Sequence, residues 1–539
     1  MAIGEAGLGS ARRGARPKRL EETMRGRLGR ECVYVPSCRF GLFVALRHWC
    51  PPGGRVLMSP VNDDVIFFVV LAAGLRPVQA PLNPLDASID VDAVPAEVWG
   101  SLSAVLTTNL YGNPDDAPRL RDTCDALGIP LLEDGAHAIG SEVGGRPVGA
   151  WGDASVFSLS KHVGAQAGGF LSCADPGLRE TLAKTCEDLL LPGRLTAEIA
   201  FTVRPYAEAA VRGLRLRRAA WATMRLLGLM EREEIRMPLR ARELARAVER
   251  APDLTAHDAW VRVDMHDYRL RSGPLRLGRV GRRLDRLDGV LDACRAGTGL
   301  LLSTPWARSV GHGGGSAAPD GERAGLGSPT GSGAVPGTGR AQRGTLSASR
   351  QGSAFPSDSS APSDSSAPSA PSDSSASSDL STRPGSSPGR GFSSGPGPAR
   401  SGSSLLPGSS ARTGSSARPG SSVRPGSPAR TSSQDGASAG AASGVQPLFR
   451  VPLFVADREA AIAALARRGI VVGYLYDPPL DDYAGAAFTD PSPDPAGARW
   501  FARHALPVDP LRARQVVEVL QESGVRPADA PGGLEPTRG

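Results

Sequence analysis

The sequence predicts an α/β protein: a large domain whose mostly parallel sheet is covered by helices, followed by a small α+β C-terminal domain that a disordered insertion interrupts. Three observations carry that expectation. Short apolar runs alternate with helical stretches from Val33 to Cys173, the chain turns helical and Arg-rich from about Leu189 to Arg295, and a long low-complexity stretch precedes a second, shorter alternation.

In the first region the strand candidates are VYVPS, RVLMSP, RPVQAP, AVLTTN, PLLEDG, ASVFSL and GGFLSC. Helical patterns lie between the earlier ones, at Gly41 to Trp49, Val65 to Ala73 and Pro118 to Leu127. Runs that are apolar throughout and separated by helices indicate parallel pairing with both faces covered. In such sheets ligands sit at the carboxyl ends of the strands. The apolar run Val65 to Leu75 is about half of the roughly 20 residues that span a bilayer, so it reads as a buried helix and no membrane partner is expected.

ELARAVERA and VGRRLDRLDGVLDACRAG suit helices that connect a large domain to a small one. Between roughly Ser309 and Gln446 the chain is almost entirely Ser, Gly, Pro, Ala and Arg. So few bulky apolar residues cannot offset the entropy of ordering, and the stretch is expected to be disordered. Its imperfect repeats are too short and too polar for a solenoid. After it, LFRVPLFVAD, a helix from Arg458 to Arg468, GIVVGYLYD and a last helix around Arg512 to Glu522 make a compact α+β unit. The expected division is therefore an N-terminal arm and helix (1–30), a large α/β domain (31–190), connecting helices and the start of the small domain (191–308), the disordered insertion (309–446), the C-terminal small domain (447–525) and a flexible tail (526–539).

The formal net charge of +7 does not call for a nucleic-acid partner, because the low-complexity stretch alone holds eleven Arg against seven acidic residues. Its arginines could touch phosphates. No aromatic residues interleave with them to stack bases, so a solvated linker is the expectation. Seven scattered cysteines, odd in number and without zinc-type spacing, read as reduced cytosolic thiols with no metal site. No secretory leader opens the chain, so a cytoplasmic location is expected.

Among 62 basic residues only three are lysine: Lys18, Lys161 and Lys184. A guanidinium cannot form an imine, whereas a desolvated lysine amine can attack a carbonyl. Lys18 and Lys184 lie in polar helical contexts, but Lys161 ends ASVFSLSK, beside the hydroxyls of Ser158 and Ser160, which can donate to phosphate oxygens. This pattern also fits an ordinary strand-loop-strand with an incidental lysine. In LLEDGAHAIG an apolar strand delivers Asp134 to its end, with His137 on the following turn. A carboxylate there can hold a pyridinium nitrogen protonated, although Asp-x-x-His alone also fits a structural turn. In PSCRFGLFVALRHW, Ser37 precedes a helix beginning near Arg39, whose N-terminus is an anion site or a plain Ser N-cap.

The order of helix start, TTNLYGNPDD, LLEDGAHA, FSLSK and AGGFL resembles the DegT/StrS family of pyridoxal-phosphate-dependent aminotransferases, many of which act on nucleotide-linked keto sugars. EIRMPLRARELARA resembles that family's R-M-containing helix, and GIVVGYLYDPPL its substrate-side segment. The resemblance implies a fold-type-I transferase in which Lys161 carries pyridoxal 5′-phosphate as a Schiff base. Asp134 would pair with the pyridine nitrogen, and His137 would lie beside the ring. Ser158, Ser160, Ser37, Cys38, Arg39 and Asn109 would complete the cofactor site, with Tyr476 and Arg236 toward substrate. It also implies a homodimer with sites at the subunit interface, an amino-acid donor such as glutamate or glutamine, and a carbonyl acceptor, in sugar biosynthesis of the secondary-metabolism kind.

The chain departs from the family at named places. Asn62, Asp63 and Asp64 stand where an aromatic residue usually stacks on the cofactor, Glu234 stands where an Asn precedes the R-M pair, and Leu475 and Asp481 replace substrate-facing His. The Phe157–Lys161 loop is about two residues short by motif comparison. Two other readings stay open: a cofactor enzyme of different outcome, such as elimination or dehydration, and a binding or interaction protein that has lost turnover. The dehydratase branch that replaces the lysine with His is disfavoured by Lys161, for which the neighbouring His162 does not substitute.

Overall fold

The computed structural model describes residues 17–213, 236–263, 267–308 and 444–531. The stretch expected to be disordered lies outside the described residues except for 444–446, as do Glu234 and the last part of the expected tail.

Seven strands form the main sheet: β1 (Glu31–Val35), β2 (Arg55–Met58), β3 (Arg76–Gln79), β4 (Ala104–Thr107), β5 (Leu131–Asp134), β6 (Ala154–Ser158) and β7 (Gly169–Cys173). All seven fall on the runs singled out in the sequence. Their spatial order is β1-β7-β6-β5-β4-β2-β3. The neighbours from β3 to β6 pair in parallel, while β7 runs antiparallel to both β6 and β1. The α/β sheet is thus mostly parallel, as predicted.

Because side chains alternate across a strand, the apolar runs feed two cores. In β2, Val56 and Met58 pack with the helices Cys38–Trp49 and Asp64–Ala72, whereas Leu57 joins the opposite face with Leu120 and Cys124 of the helix Ala117–Leu127. The helix Asp64–Ala72 is buried at every residue, which is why it is apolar all round and needs no amphipathic stripe. A further core under the β1 side joins Leu20, Met24 and Leu28 of a helix over residues 17–28 to Phe157, Phe170 and the helix Pro274–Leu284.

The C-terminal part has its own layer. Strands β8 (Val451–Phe454) and β9 (Ala505–Val508) pair antiparallel, and the helices Arg458–Arg467, Ala513–Glu522 and Leu287–Leu302 close over them. Residues that begin the expected tail run beside β8: Ala456 N–H donates to the Arg526 carbonyl and Ala528 N–H to the Phe454 carbonyl, each at 3.0 Å. GIVVGYLYD carries no strand or helix.

Candidate active site

A cavity of about 400 Å³ opens at the carboxyl ends of the parallel strands. All but the edge strand β3 of these strands deliver lining residues at or just past their ends: Ser37, Cys38 and Arg39 after β1, Asn62 and Asp63 after β2, Thr108 after β4, Asp134 and His137 from β5, and Ser158, Ser160 and Lys161 from β6. Gln166 to Gly168 enter from the start of the antiparallel β7. The structure thus brings together eight of the residues singled out in the sequence: Ser37, Cys38, Arg39, Asp134, His137, Ser158, Ser160 and Lys161.

One end of the cavity gathers a helix start and two hydroxyls that can donate to an anion. Ser37 caps the helix Cys38–Trp49, its Oγ accepting from Phe40 N–H at 3.3 Å and donating to the Tyr268 carbonyl at 3.0 Å. The first-turn N–H groups of a helix have no carbonyl within it to bond, and the dipole there favours negative charge. Ser158 and Ser160 share a hydroxyl hydrogen bond of 2.8 Å at the end of β6. Ser158 is registered opposite Gly169, and a Cβ on Gly169 would stand 2.9 Å from the Cys38 nitrogen. The missing side chain at Gly169 therefore lets the serine pair and the helix start meet.

Asp134 occupies the floor. Ala136 N–H donates to its Oδ1 at 2.9 Å, and the Cys38 thiol donates to the same oxygen at 3.9 Å. Among the described residues Oδ2 has no protein donor. Burial pushes this carboxyl up to about 7, against the Ala136 hydrogen bond and the charge of Lys161. A cation placed at Oδ2 would favour the carboxylate. Gly135 keeps the turn close, because a Cβ there would come within 2.6 Å of the Phe157 ring.

His137 is held well below the usual imidazole range, first by burial and then by the nearby Lys161 charge. It is therefore neutral and stacks on Phe449, ring centroids 5.2 Å apart at 13°. The Lys161 amine lies 4.1 Å from the Tyr474 ring centroid and 5.6 Å from that of Phe449.

Three residues expected at the site do not line the cavity. Asn109 is buried behind it, its amide donating to the Asp134 carbonyl at 3.1 Å and to Thr107 at 2.9 Å, so it braces the end of β5. Arg236 is also buried and clamps three carbonyls, those of Asn62, Tyr476 and Pro478, at 2.6 to 3.2 Å. Tyr476 stacks on Tyr111, 5.9 Å between centroids, inside the core on the far face of the sheet. Asp63 faces the cavity and caps the helix Asp64–Ala72 through Val65 N–H, whereas Asp64 turns inward to accept from Met237 N–H at 2.7 Å. Leu475 and Asp481 lie away from the cavity.

Sequence reasoning missed Tyr474, Phe449, Thr108, Tyr268, Asp267, Arg204 and Arg276. Tyr474 carried a signal, being an aromatic residue two positions from Tyr476 in a segment already singled out. Tyr268 and Arg276 come from connecting elements without any motif. Among the described residues no cluster of three or more His, Cys, Asp or Glu could hold a metal ion, and no helix is long and apolar enough to cross a membrane.

Residues 6–199 match the model of the DegT/DnrJ/EryC1/StrS aminotransferase family. L-glutamine:2-deoxy-scyllo-inosose aminotransferase of Streptomyces kanamyceticus is 33% identical over 30% of this chain and 38% of its own length. GDP-perosamine synthase of Vibrio cholerae is 35% identical over 22% of this chain and 33% of its own. Among solved structures, the aminotransferase TlmJ from Streptoalloteichus hindustanus aligns at 29% identity over 35% of this chain and 56% of its own, with a TM-score of 0.32. The chain thus spans between a third and two fifths of the length of the two curated relatives. The stretch that matches this aminotransferase family model, residues 6–199, is the one that delivers Lys161, Asp134 and the serines and helix start at the other end of the cavity.

Proposed function

We propose that this chain is a pyridoxal 5′-phosphate-dependent aminotransferase that moves an amino group from an amino acid to a carbonyl acceptor, with Lys161 as the reactive amine. The observation that carries this reading is the convergence, in one cavity, of the Asp134 carboxylate, whose Oδ2 takes no donor among the described residues, a lysine amine, and a helix start beside two hydroxyls. That donor set fits the group: Ser158, Ser160 and the amides around Cys38 and Arg39 would hold its phosphate, and Asp134 Oδ2 its ring nitrogen. When bound, pyridoxal phosphate supplies a carbonyl carbon that condenses with amines and a ring that draws electrons from the donor's α-carbon.

The protein's own part follows from the geometry. Asp134, once ionised against a cation, keeps that cation protonated. Neutral His137 presents a flat face without adding charge. Lys161 Nζ would hold the cofactor's carbonyl carbon, and its amine would serve as the base that accepts the donor's α-proton and the acid that returns it.

Besides the 2-deoxy-scyllo-inosose aminotransferase, the relatives include a UDP-N-acetyl-3-dehydro-alpha-D-glucosamine 3-aminotransferase and a dTDP-4-dehydro-2,3,6-trideoxy-D-glucose 4-aminotransferase, and a keto sugar or keto cyclitol heads the acceptors in this reading. A homodimer, a reducing cytoplasmic setting and the division into large and small domains belong to the same proposal. The setting is supported by seven cysteines that are all buried and unbridged.

The test is direct. Protein purified with pyridoxal phosphate should show a visible absorption band, and after borohydride reduction the label should map to Lys161 and vanish in Lys161→Ala. Label on Lys18 or Lys184, or no band, would overturn the reading. A band with label at Lys161 but no half-transamination with any amino donor would favour a binding protein instead.

A further inference from the structure

The three lysines of this chain are not alike: Lys18 and Lys184 are exposed on helices, while Lys161 is half-buried with its amine 4.1 Å above the Tyr474 ring and 5.6 Å from Phe449. The backbones that carry both rings are anchored. Tyr111 Oη donates to the Tyr474 carbonyl at 2.6 Å, and the Tyr111 carbonyl accepts from Phe449 N–H at 2.7 Å, so one residue pins both. The rings meet edge-on at 5.3 Å, and Arg450 lies 4.2 Å over Phe449 from its own anchor on Asp509.

The backbone is strained here as well. Tyr474 sits at φ 63° and Tyr111 at φ 58°, a region that side chains other than glycine occupy only at a cost. Of the six such residues among those described, Gln166 and Tyr474 line the cavity and Asn109 is buried behind it. A costly conformation that survives where an aromatic face meets a reactive amine points to use rather than accident.

We propose that Tyr474 and Phe449 are positioning residues that form an aromatic seat for the Lys161 amine, holding it over the cavity through the attraction of a cation to a ring face. A lysine has four flexible carbons and strong rotamer freedom, so an unseated amine would sample directions away from Asp134 and the anion end. Phe449 also stacks on His137, and the seat therefore fixes the lysine and the flat wall against each other. The role assigned to Lys161 rests on the proposed aminotransferase reading, but the seat itself does not.

The scarcity of lysine makes the test clean. After reductive ¹³C-methylation of the cofactor-free protein, the three dimethyl-lysine signals can be assigned with Lys→Arg variants. The Tyr474 ring current should shift the Lys161 signal upfield of Lys18 and Lys184. Tyr474→Phe should keep the shift, and Tyr474→Leu should abolish it with the thermal midpoint held. In parallel, unmethylated protein treated with pyridoxal phosphate and borohydride should lose about two- to fivefold of its Lys161 label relative to Lys184 in Tyr474→Leu and Phe449→Leu. Tyr474→Phe should rescue that selectivity.

A wild-type Lys161 signal coincident with the exposed lysines would overturn the seat. A shifted signal with unchanged labelling selectivity in both leucine variants would overturn its positioning role. A shifted signal in a wild-type protein that takes no label at Lys161 would sink the cofactor reading while leaving the seat standing.

Discussion

His162 follows Lys161 in the chain but faces away, its ring nitrogen Nε2 at 2.9 Å from the Pro447 carbonyl, to which it donates. Burial pushes its imidazole down to about 4. An unfolded imidazole takes up a proton near pH 6.5, and the folded one resists until about pH 4. The stability tied to His162 is therefore complete above about pH 6.5 and is lost as pH falls from there, by at most about 1.4 kcal/mol per unit. Asp134 has the opposite sign: raised from 3.8 to about 7, it holds a proton that the unfolded carboxyl releases, so stability falls as pH rises through that window. We expect His162→Gln to show a shallower fall in urea midpoint between pH 6.5 and 5 than the parent, with Asp134→Asn steepening it. Equal slopes in His162→Gln and the parent would mean that His162 protonates freely in the folded state.

At the scale of elements, the anion end depends on β6, β7 and the helix Cys38–Trp49 approaching without a side chain at Gly169. A Cβ there would lie 2.5 Å from the Phe157 carbonyl oxygen as well as 2.9 Å from the Cys38 nitrogen, both backbone atoms that cannot rotate away. Gly169→Ala should cost about 1–3 kcal/mol in denaturation and weaken pyridoxal phosphate binding in a fluorescence titration. Normal affinity at reduced stability would separate the close approach from the binding site. These elements were legible in the sequence because fully apolar strands separated by helices leave little choice of pairing, and because the parallel topology puts strand ends on one side. The direction of side chains beyond the sheet was not legible. Tyr476 was singled out and Tyr474 was not, yet the left-handed backbone at Tyr474 turns that residue to the cavity and leaves its neighbour in the core. Arg236 likewise sits in a segment the sequence singled out by resemblance, but its guanidinium is taken up by three carbonyls. Phe449 arrives after a long intervening stretch that no spacing rule bridges.

Across the whole molecule, residues on both sides of the long Ser- and Gly-rich stretch build one core. Leu301 and Trp306 before it pack with Leu448, Val451, Leu453 and Leu520 after it, and the Trp306 indole donates to the Val525 carbonyl at 2.9 Å. The contact that joins them most closely is Gly297 in the helix Leu287–Leu302, where any Cβ would collide with the Pro510 carbonyl. Two backbones meet there, so neither can relax by changing a rotamer, and Gly297→Ala should cost at least about 3 kcal/mol, the upper end of ordinary overpacking. The manner of the loss is more informative than its size. If the C-terminal layer and the main sheet unfold together, the urea midpoint drops while the slope and the coincidence of fluorescence and circular dichroism are kept. We expect that outcome, because Phe449 and Tyr474 of the C-terminal part reach the cavity at the strand ends and Arg236 ties Tyr476 and Pro478 to Asn62. Two separated transitions in the variant would mean that these ties are too weak to couple the parts, and the seat under Lys161 should then be lost in the first transition.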